Sequence, residues 1–213
     1  MNNKKFDVKK YWETRYYNGG NSGRGSYGSF REFKLSVINQ FIKENNIGSL
    51  VDIGCGDGSI AEGIVVPGYT GLDISASAVE KCRTRIKNTG RLCKHFYTLD
   101  DIPEAVKDKK FHISMSIDVL YHLVDDKLFE EHMKILFGLA SEWVIIYSPD
   151  KEHLSGTVEH IKHRIFTKYI SDNYPEWVLE RVIKNTCRLL EDVPRDSFAD
   201  FFIYRHNNLL IEG

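Results

Sequence analysis

The sequence is short of several features that would point to a chemistry outright. Its four cysteines, Cys55, Cys82, Cys93 and Cys187, form no C-x-x-C pair, so neither a zinc knuckle nor a dithiol redox motif is indicated. Reduced thiols in a cytoplasmic protein are the plain expectation. No apolar run reaches membrane-spanning length, and the polar start Met1-Asn2-Asn3-Lys4-Lys5-Phe6 lacks the apolar core of a signal peptide. A soluble chain with no membrane partner is expected. Basic and acidic side chains balance at 29 against 30, with no basic tail or lysine-rich block, which argues against nucleic acid as a partner. Internal repeats and a domain boundary are also missing, so the 213 residues are expected to form one α/β domain, residues 1–213. Within it, residues 1–29 read as an N-terminal helix with a Gly/Ser-rich segment, and residues 30–213 as the core.

What is present is one dense stretch, Leu50-Val51-Asp52-Ile53-Gly54-Cys55-Gly56-Asp57-Gly58-Ser59-Ile60. A short apolar run ending in an acid reads as a buried parallel strand. Three glycines at alternate positions permit a tight turn and the approach of a ligand to bare backbone. From Ser59 a helix can start with its free N–H groups facing the same crevice. Strand, glycine turn and helix together make a nucleotide-type site at the carboxyl edge of an open sheet. Dinucleotide enzymes favour G-x-G-x-x-G, whereas this turn is D-x-G-x-G-x-G. In that form it resembles the first motif of the class I S-adenosylmethionine-dependent methyltransferases. Tyr69-Thr70-Gly71-Leu72-Asp73 reads as the next strand, and its Asp73, 21 positions after Asp52, is spaced as an acid that binds ribose hydroxyls.

The resemblance implies a Rossmann-like seven-stranded α/β fold, with a mostly parallel sheet, an antiparallel last strand and helices on both faces. The pattern of the chain supplies the elements. Residues 6–17 read as a short aromatic helix. Residues 18–29 are rich in glycine and serine and form either a linker or a mobile binding lid. Phe33, Val37, Ile38, Phe41 and Ile42 recur at helical spacing over residues 30–44. A helix capped by Ser75 and stopped by Gly90 is followed by strands at residues 92–97 and 111–116. Asp125 caps a helix with Leu128, Phe129, Met133, Leu136 and Phe137 inward. Strands at 143–147, 177–183 and 198–204, with a helix at 164–173, complete the layout.

As a methyltransferase, the chain would use S-adenosylmethionine as cofactor and no metal. Gly54, Cys55, Gly56 and Gly58 would carry its methionine part, Asp73 and Ile74 the ribose, and Asp52 the turn amides or the ammonium. The family places an acid at the adenine amino group, here Asp100 or Asp101 beside Ile102; the alternative is a turn with solvated acids. The segment Ile117-Asp118-Val119-Leu120-Tyr121-His122-Leu123 looks like the family's D-V-hydrophobic-x-H-L, with the backbone of Ser116 or Ile117 toward the ammonium. Tyr11, Trp12, Arg15 and Arg24 would close over the cofactor. Tyr17, Tyr27, Tyr121, His160, His163 and Arg164 are the candidates on the substrate side. Arg164 would suit an anionic group, although a solvated polar loop running through His153 is the bland reading of that region.

Methyl transfer is an in-line displacement, so near-attack positioning is the protein's main task and no covalent nucleophile is needed. His122 is the leading general base, with a structural hydrogen bond as its alternative. The expected acceptor is a small polar molecule, on oxygen in preference to nitrogen, and the segments 20–27 and 116–123 look like small bacterial methyltransferases associated with surface saccharide modification. A nicotinamide oxidoreductase would share the turn and Asp73, but would want G-x-G-x-x-G. A non-catalytic relative that only binds cofactor is the other rival, against which the intact Gly54, Gly56, Gly58 and Asp73 speak.

Overall fold

The computed structural model describes residues 6–89, 93–152, 158–189 and 199–210. Seven strands form one sheet in the order β3-β2-β1-β4-β5-β7-β6: β1 (Ser49–Ile53), β2 (Gly68–Asp73), β3 (Lys94–Thr98), β4 (Phe111–Ile117), β5 (Ala140–Ser148), β6 (Trp177–Ile183) and β7 (Asp200–His206). The first five are parallel, and β7 is inserted antiparallel between β5 and β6. Each expected strand is present, displaced by up to three residues, and the expected positions Leu92 and Phe198 lie outside the described residues. No helix among the described residues is long and apolar enough to cross a membrane.

Alternation along the strands separates two cores. Leu50, Tyr69, Ile113, Met115 and Ile145 face α2 (Gly28–Glu44) and α4 (Ala76–Thr89), while Val51, Ile53, Leu72, Val144 and Ile146 face α6 (Asp126–Leu139) and α7 (Phe166–Asn173). Burial on both sides explains why these strands read as unbroken apolar runs. Asp125 caps α6 by accepting from the Lys127 and Leu128 amides, as its sequence position suggested. Two helices depart from expectation. α3 (Ser59–Gly63) lasts only five residues, and the Ser59 amide is held by the Asp57 carboxylate instead of facing a ligand. A short α5 (Glu104–Lys107) follows Pro103, where no helix was expected.

The strand order reverses between β1 and β4: β2 and β3 are laid down to one side of β1, then the chain returns to the other. At that switch the carboxyl edges diverge and leave a crevice, so the glycine turn after β1, Asp73 at the end of β2 and the segment after β4 converge there.

Gly71 shows how tightly β2 is packed below that crevice. A Cβ there would stand 2.6 Å from the Phe96 ring and 2.9 Å from Cys55 Sγ, whereas at Gly68 the nearest atom is 3.4 Å away. Gly71→Ala is expected to destabilise the fold by about 1–3 kcal/mol through overpacking, and Gly68→Ala by less than about 1 kcal/mol. Urea unfolding of the two variants checks this, equal midpoints being the contrary result.

Candidate active site

The turn is held by its neighbours. The Gly54 and Cys55 amides both donate to the Leu72 carbonyl of β2, at 2.7 and 3.1 Å. Gly54 and Gly56 have φ of 88° and 58°, which favour glycine. A Cβ on Gly54 would stand 2.4 Å from Val119, and one on Gly56 2.4 Å from Ser22 Oγ. Gly58, expected to approach the cofactor, instead packs its bare Cα against Cys82 of α4, where a Cβ would lie 3.1 Å from the thiol.

Asp73 and Asp52 are two of the three buried carboxylates at this turn, Asp57 being the third. Asp73 accepts from the Gly56 and Ser75 amides, both at 2.9 Å, and burial pushes its pKa up to about 6. Asp52 accepts from the Tyr69 hydroxyl at 2.7 Å, its other oxygen is buried without a hydrogen-bond partner, and burial raises it to about 7. An orphaned carboxylate oxygen in a cavity wall suits a cationic ligand group.

Both acids line a cavity of about 790 Å³. Of the residues singled out from the sequence, Asp52, Gly54, Cys55, Gly56, Asp73, Ile74, Asp100, Ile117, Trp12 and His122 line it. Asp101 lies in the exposed turn, and Ile102 packs with the core under α6. Ser116 sits behind the wall, its hydroxyl 2.9 Å from His132 Nε2. Burial lowers His132, which does line the cavity, to about 4.

The N-terminal residues are folded onto the site. In α1 (Val8–Tyr17), Lys9 pairs with Asp100, and Glu13 accepts from the Ser75 and Ser77 hydroxyls at the start of α4. The glycine- and serine-rich segment is not a free linker. Ser22 donates its amide to Asp57 and accepts from the Asp57 amide, and the Tyr27 hydroxyl donates to Asp57 at 2.6 Å. Asp57 was not singled out in the sequence, and its partners Ser22 and Tyr27 lie 35 and 30 residues away along the chain. Arg15 donates to the Asn21 carbonyl beside Trp12, Arg24 is exposed, and Tyr17 points to solvent at 79% exposure. Neither arginine, nor Tyr11, Tyr17 or Tyr27, lines the cavity.

His122 stands edge-on to Trp12, ring centroids 4.9 Å apart. Its Nδ1 lies 3.2 Å from the His160 carbonyl, which can only accept, so the proton sits on Nδ1 and Nε2 is the acceptor nitrogen. Burial lowers its pKa to about 4. His160 stacks on Tyr11 at 5.1 Å, outside the cavity lining. Arg164, expected toward an anionic substrate, is taken by Asp126 at 2.7 Å and covers the Phe129 ring. His163 lies 6.3 Å from the Tyr121 ring, also away from the cavity wall, and His153 lies outside the described residues. Among the described residues, no group of three or more His, Cys, Asp or Glu side chains is gathered to hold a metal.

Residues 51–136 match the family model described as a methyltransferase domain. No curated protein sequence matches. Among solved structures, the magnesium protoporphyrin IX methyltransferase of Synechocystis PCC 6803 with bound SAH is 17% identical, over 93% of this chain and 98% of its own, with a TM-score of 0.68. The N-methyltransferase NodS of Bradyrhizobium japonicum WM9, also with S-adenosyl-L-homocysteine, is 13% identical over 94% and 99%, with a TM-score of 0.70. The methyltransferase domain of a bacterial Hen1 is 20% identical over 81% and 96%, at 0.61. At these identities the likeness is one of fold. The glycine cradle, Asp73 and the orphaned Asp52 oxygen fit the family's cofactor, S-adenosylmethionine.

Asp52 and Asp73 also set a pH dependence. Both stand above the ordinary aspartate value of about 3.9. Between that value and about 7 these two groups hold more protons in the folded chain than in the unfolded one, so their contribution to stability falls as pH rises through this window. For Asp52 the difference is worth on the order of 4 kcal/mol. His122 and His132, lowered to about 4, act in the opposite sense below pH 6.5, so the aspartate contribution is read from the variant: Asp52→Asn is expected to melt higher than the parent at pH 8 and to gain less, or nothing, at pH 5.5. Thermal unfolding across a pH series decides, and an unaltered profile in the variant would contradict the assignment.

Proposed function

We propose that this chain, a class I S-adenosylmethionine-dependent methyltransferase by fold and by family match, moves a methyl group to oxygen of a small polar or saccharide-type acceptor. The observation that carries this reading is the convergence of bare glycine backbone, Asp73 and the unpartnered Asp52 oxygen on one cavity. Its volume, about 790 Å³, lies in the range of small-molecule sites. When bound, S-adenosylmethionine supplies an electrophilic methyl group on a sulfonium. Gly54 and Gly56 let that ligand rest against the backbone, Asp73 takes the ribose hydroxyls, and Asp52 compensates the ammonium. Of the two candidate acids for adenine, Asp100 is favoured, because it lines the cavity and Asp101 does not.

The glycine- and serine-rich residues 18–29, together with the adjoining α1, act as a lid in this reading. Latches to Asp57, Asp100 and the start of α4 hold it shut, and releasing them opens the cavity. His122 presents an unprotonated Nε2 that can take a proton from an acceptor hydroxyl, a service that an amine with a free lone pair does not need. A carboxylate-rich wall disfavours the phosphates of nucleic acid. The four free cysteines fit a cytoplasmic setting.

Calorimetry tests the cofactor. The protein is expected to bind S-adenosylhomocysteine and not NAD, and Asp73→Ala to weaken that binding by roughly 1–3 kcal/mol. Unchanged affinity in the variant would remove the ribose assignment.

Once an acceptor is found in a saccharide panel, His122→Ala is expected to slow transfer by about 10²–10⁴-fold with little change in cofactor affinity. Because His122 is pushed down to about 4, its acid limb belongs near pH 4, and the wild-type rate should show no His122 inflection between pH 6 and 8. A variant whose loss lies in cofactor binding and melting temperature would make the histidine structural.

A further inference from the structure

Asp118, directly after β4, was not among the residues singled out as a site, yet its surroundings mark it. It is a non-glycine residue at φ 60° in the cavity wall, a conformation that costs energy and collects at functional sites. Its amide donates to the Tyr147 carbonyl at 2.9 Å, which helps hold that backbone in place. One carboxylate oxygen accepts from Lys34 Nζ, and the other from the Tyr121 hydroxyl at 3.2 Å. Each carboxylate oxygen can accept twice, so acceptor capacity remains on both.

Lys34 is 1% exposed. Besides Asp118 it donates to the Gly25 carbonyl at 2.8 Å and lies over the Tyr147 ring at 4.6 Å. The Gly25 backbone passes so close that a Cβ there would stand 3.0 Å from the Asp118 carboxylate. One buried ammonium thus fixes both the wall carboxylate and the covering segment.

The topology places the group. Asp73 ends β2 and Asp118 follows β4, on opposite sides of β1 and its glycine turn. With Asp73 on the ribose, the sulfonium follows at the ribose 5′ carbon, and Asp118 stands across the glycine turn from Asp73 in the wall of the same cavity. The wall as a whole carries eight carboxylates and two lysines, paired with Asp100 and Glu131 of the same wall. A ligand anion there would meet like charge on several sides.

We propose that Asp118 receives the methyl acceptor, with Lys34 as its positioning residue, and that the acceptor is a hydrogen-bond-donating hydroxyl on a neutral or cationic molecule, without a phosphate or carboxylate beside it. This rests on the methyltransferase reading above and narrows its substrate class.

The test uses two cofactor analogues, so no acceptor is needed. S-adenosylhomocysteine has no group where the methyl would be. Sinefungin carries an amine there, a cationic donor in the place an acceptor atom approaches. Calorimetry on the full chain is expected to show sinefungin bound more tightly than S-adenosylhomocysteine by roughly 10- to 100-fold, the worth of a charge-assisted hydrogen bond. In Asp118→Asn, whose side chain tolerates the same backbone, the preference should shrink to within about threefold while S-adenosylhomocysteine affinity stays within about threefold of wild type. Should the lone buried Lys34 unfold that variant, the double substitution Lys34→Met with Asp118→Asn removes both charges and carries the same comparison. A preference that survives in these variants overturns the proposal. So does an equal loss of S-adenosylhomocysteine affinity, which would make Asp118 a cofactor anchor. A wild type that binds both analogues equally rejects this inference alone, whereas one that binds neither rejects the methyltransferase reading beneath it.

Discussion

Asp73 holds the glycine turn by accepting from the Gly56 and Ser75 amides while 5% exposed, and the rest of the site depends on that bond. Side-chain packing alone cannot fix the turn, because Gly54 and Gly56 have none to offer. Gly54 leaves room for Val119 and Gly56 for Ser22, so the backbone itself forms the cavity wall. A carboxylate reaching across from the end of β2 is what makes such a bare segment rigid. Burial opposes the arrangement, raising Asp73 to about 6 and Asp52 to about 7. The fold therefore keeps two acids at the switch point of the sheet at a cost to its own ligand-free stability. A cation seated between them would offset that cost, and this is a physical reason for a cofactor carrying ammonium and sulfonium charge to prefer this crevice.

Asp57 belongs to the same turn and behaves in the opposite way. Burial acts to raise its pKa, but hydrogen bonds from Tyr27, Ser22 and the Ser59 amide outweigh it and hold the group below the ordinary carboxylate value. Such a group contributes stability above the ordinary aspartate value and loses it as pH falls through its own lowered one. Three acids within 22 residues thus divide the work. All three line the cavity, Asp52 and Asp73 raised by burial and Asp57 lowered by its bonds to the covering segment and its own turn. The aromatic side of that segment is closed by Trp12 against His122 and Tyr11 against His160, so the cover is latched by polar contacts at one end and by ring packing at the other.

The architecture was legible because the central strands β1, β2, β4 and β5 are buried on both faces over most of their length, and because the glycine turn and Asp73 keep the spacing of a nucleotide-type site. The residues that reach the cavity from those motifs, Gly54, Gly56, Asp73, Ile74 and Ile117, were legible for the same reason: the end of a parallel strand leaves no choice about where its next residue goes. Side chains on helices and long connections were harder. Arg24 and Tyr27 stand three positions apart in one segment, yet Tyr27 reaches Asp57 and Arg24 faces solvent, a difference set by a left-handed Gly23 and a short turn that composition does not reveal. Arg164 looked available for a substrate anion, and the carboxylate that claims it, Asp126, lies 38 residues earlier on another element. Gly58 carried the motif's third glycine but serves the packing of α4.

Asp118 and Lys34 show the same limit from the other direction. Lys34 sits in the middle of an amphipathic helix, where its spacing from Ile38 and Phe41 puts it on the inward face, and an inward lysine reads as an interruption of the stripe. Only the fold reveals that this face points at the strand-four edge, 84 residues away, where Asp118 stands with its backbone in the left-handed region. A buried ammonium costs several kcal/mol to desolvate and persists only where a counter-charge and further acceptors surround it. Asp118, the Gly25 carbonyl and the Tyr147 ring supply all three kinds of partner. Replacing the pair by two apolar side chains would cost the fold little and could stabilise it. Packing alone therefore gives no reason to keep it, and the reason has to be sought in what the carboxylate faces, which is the cavity.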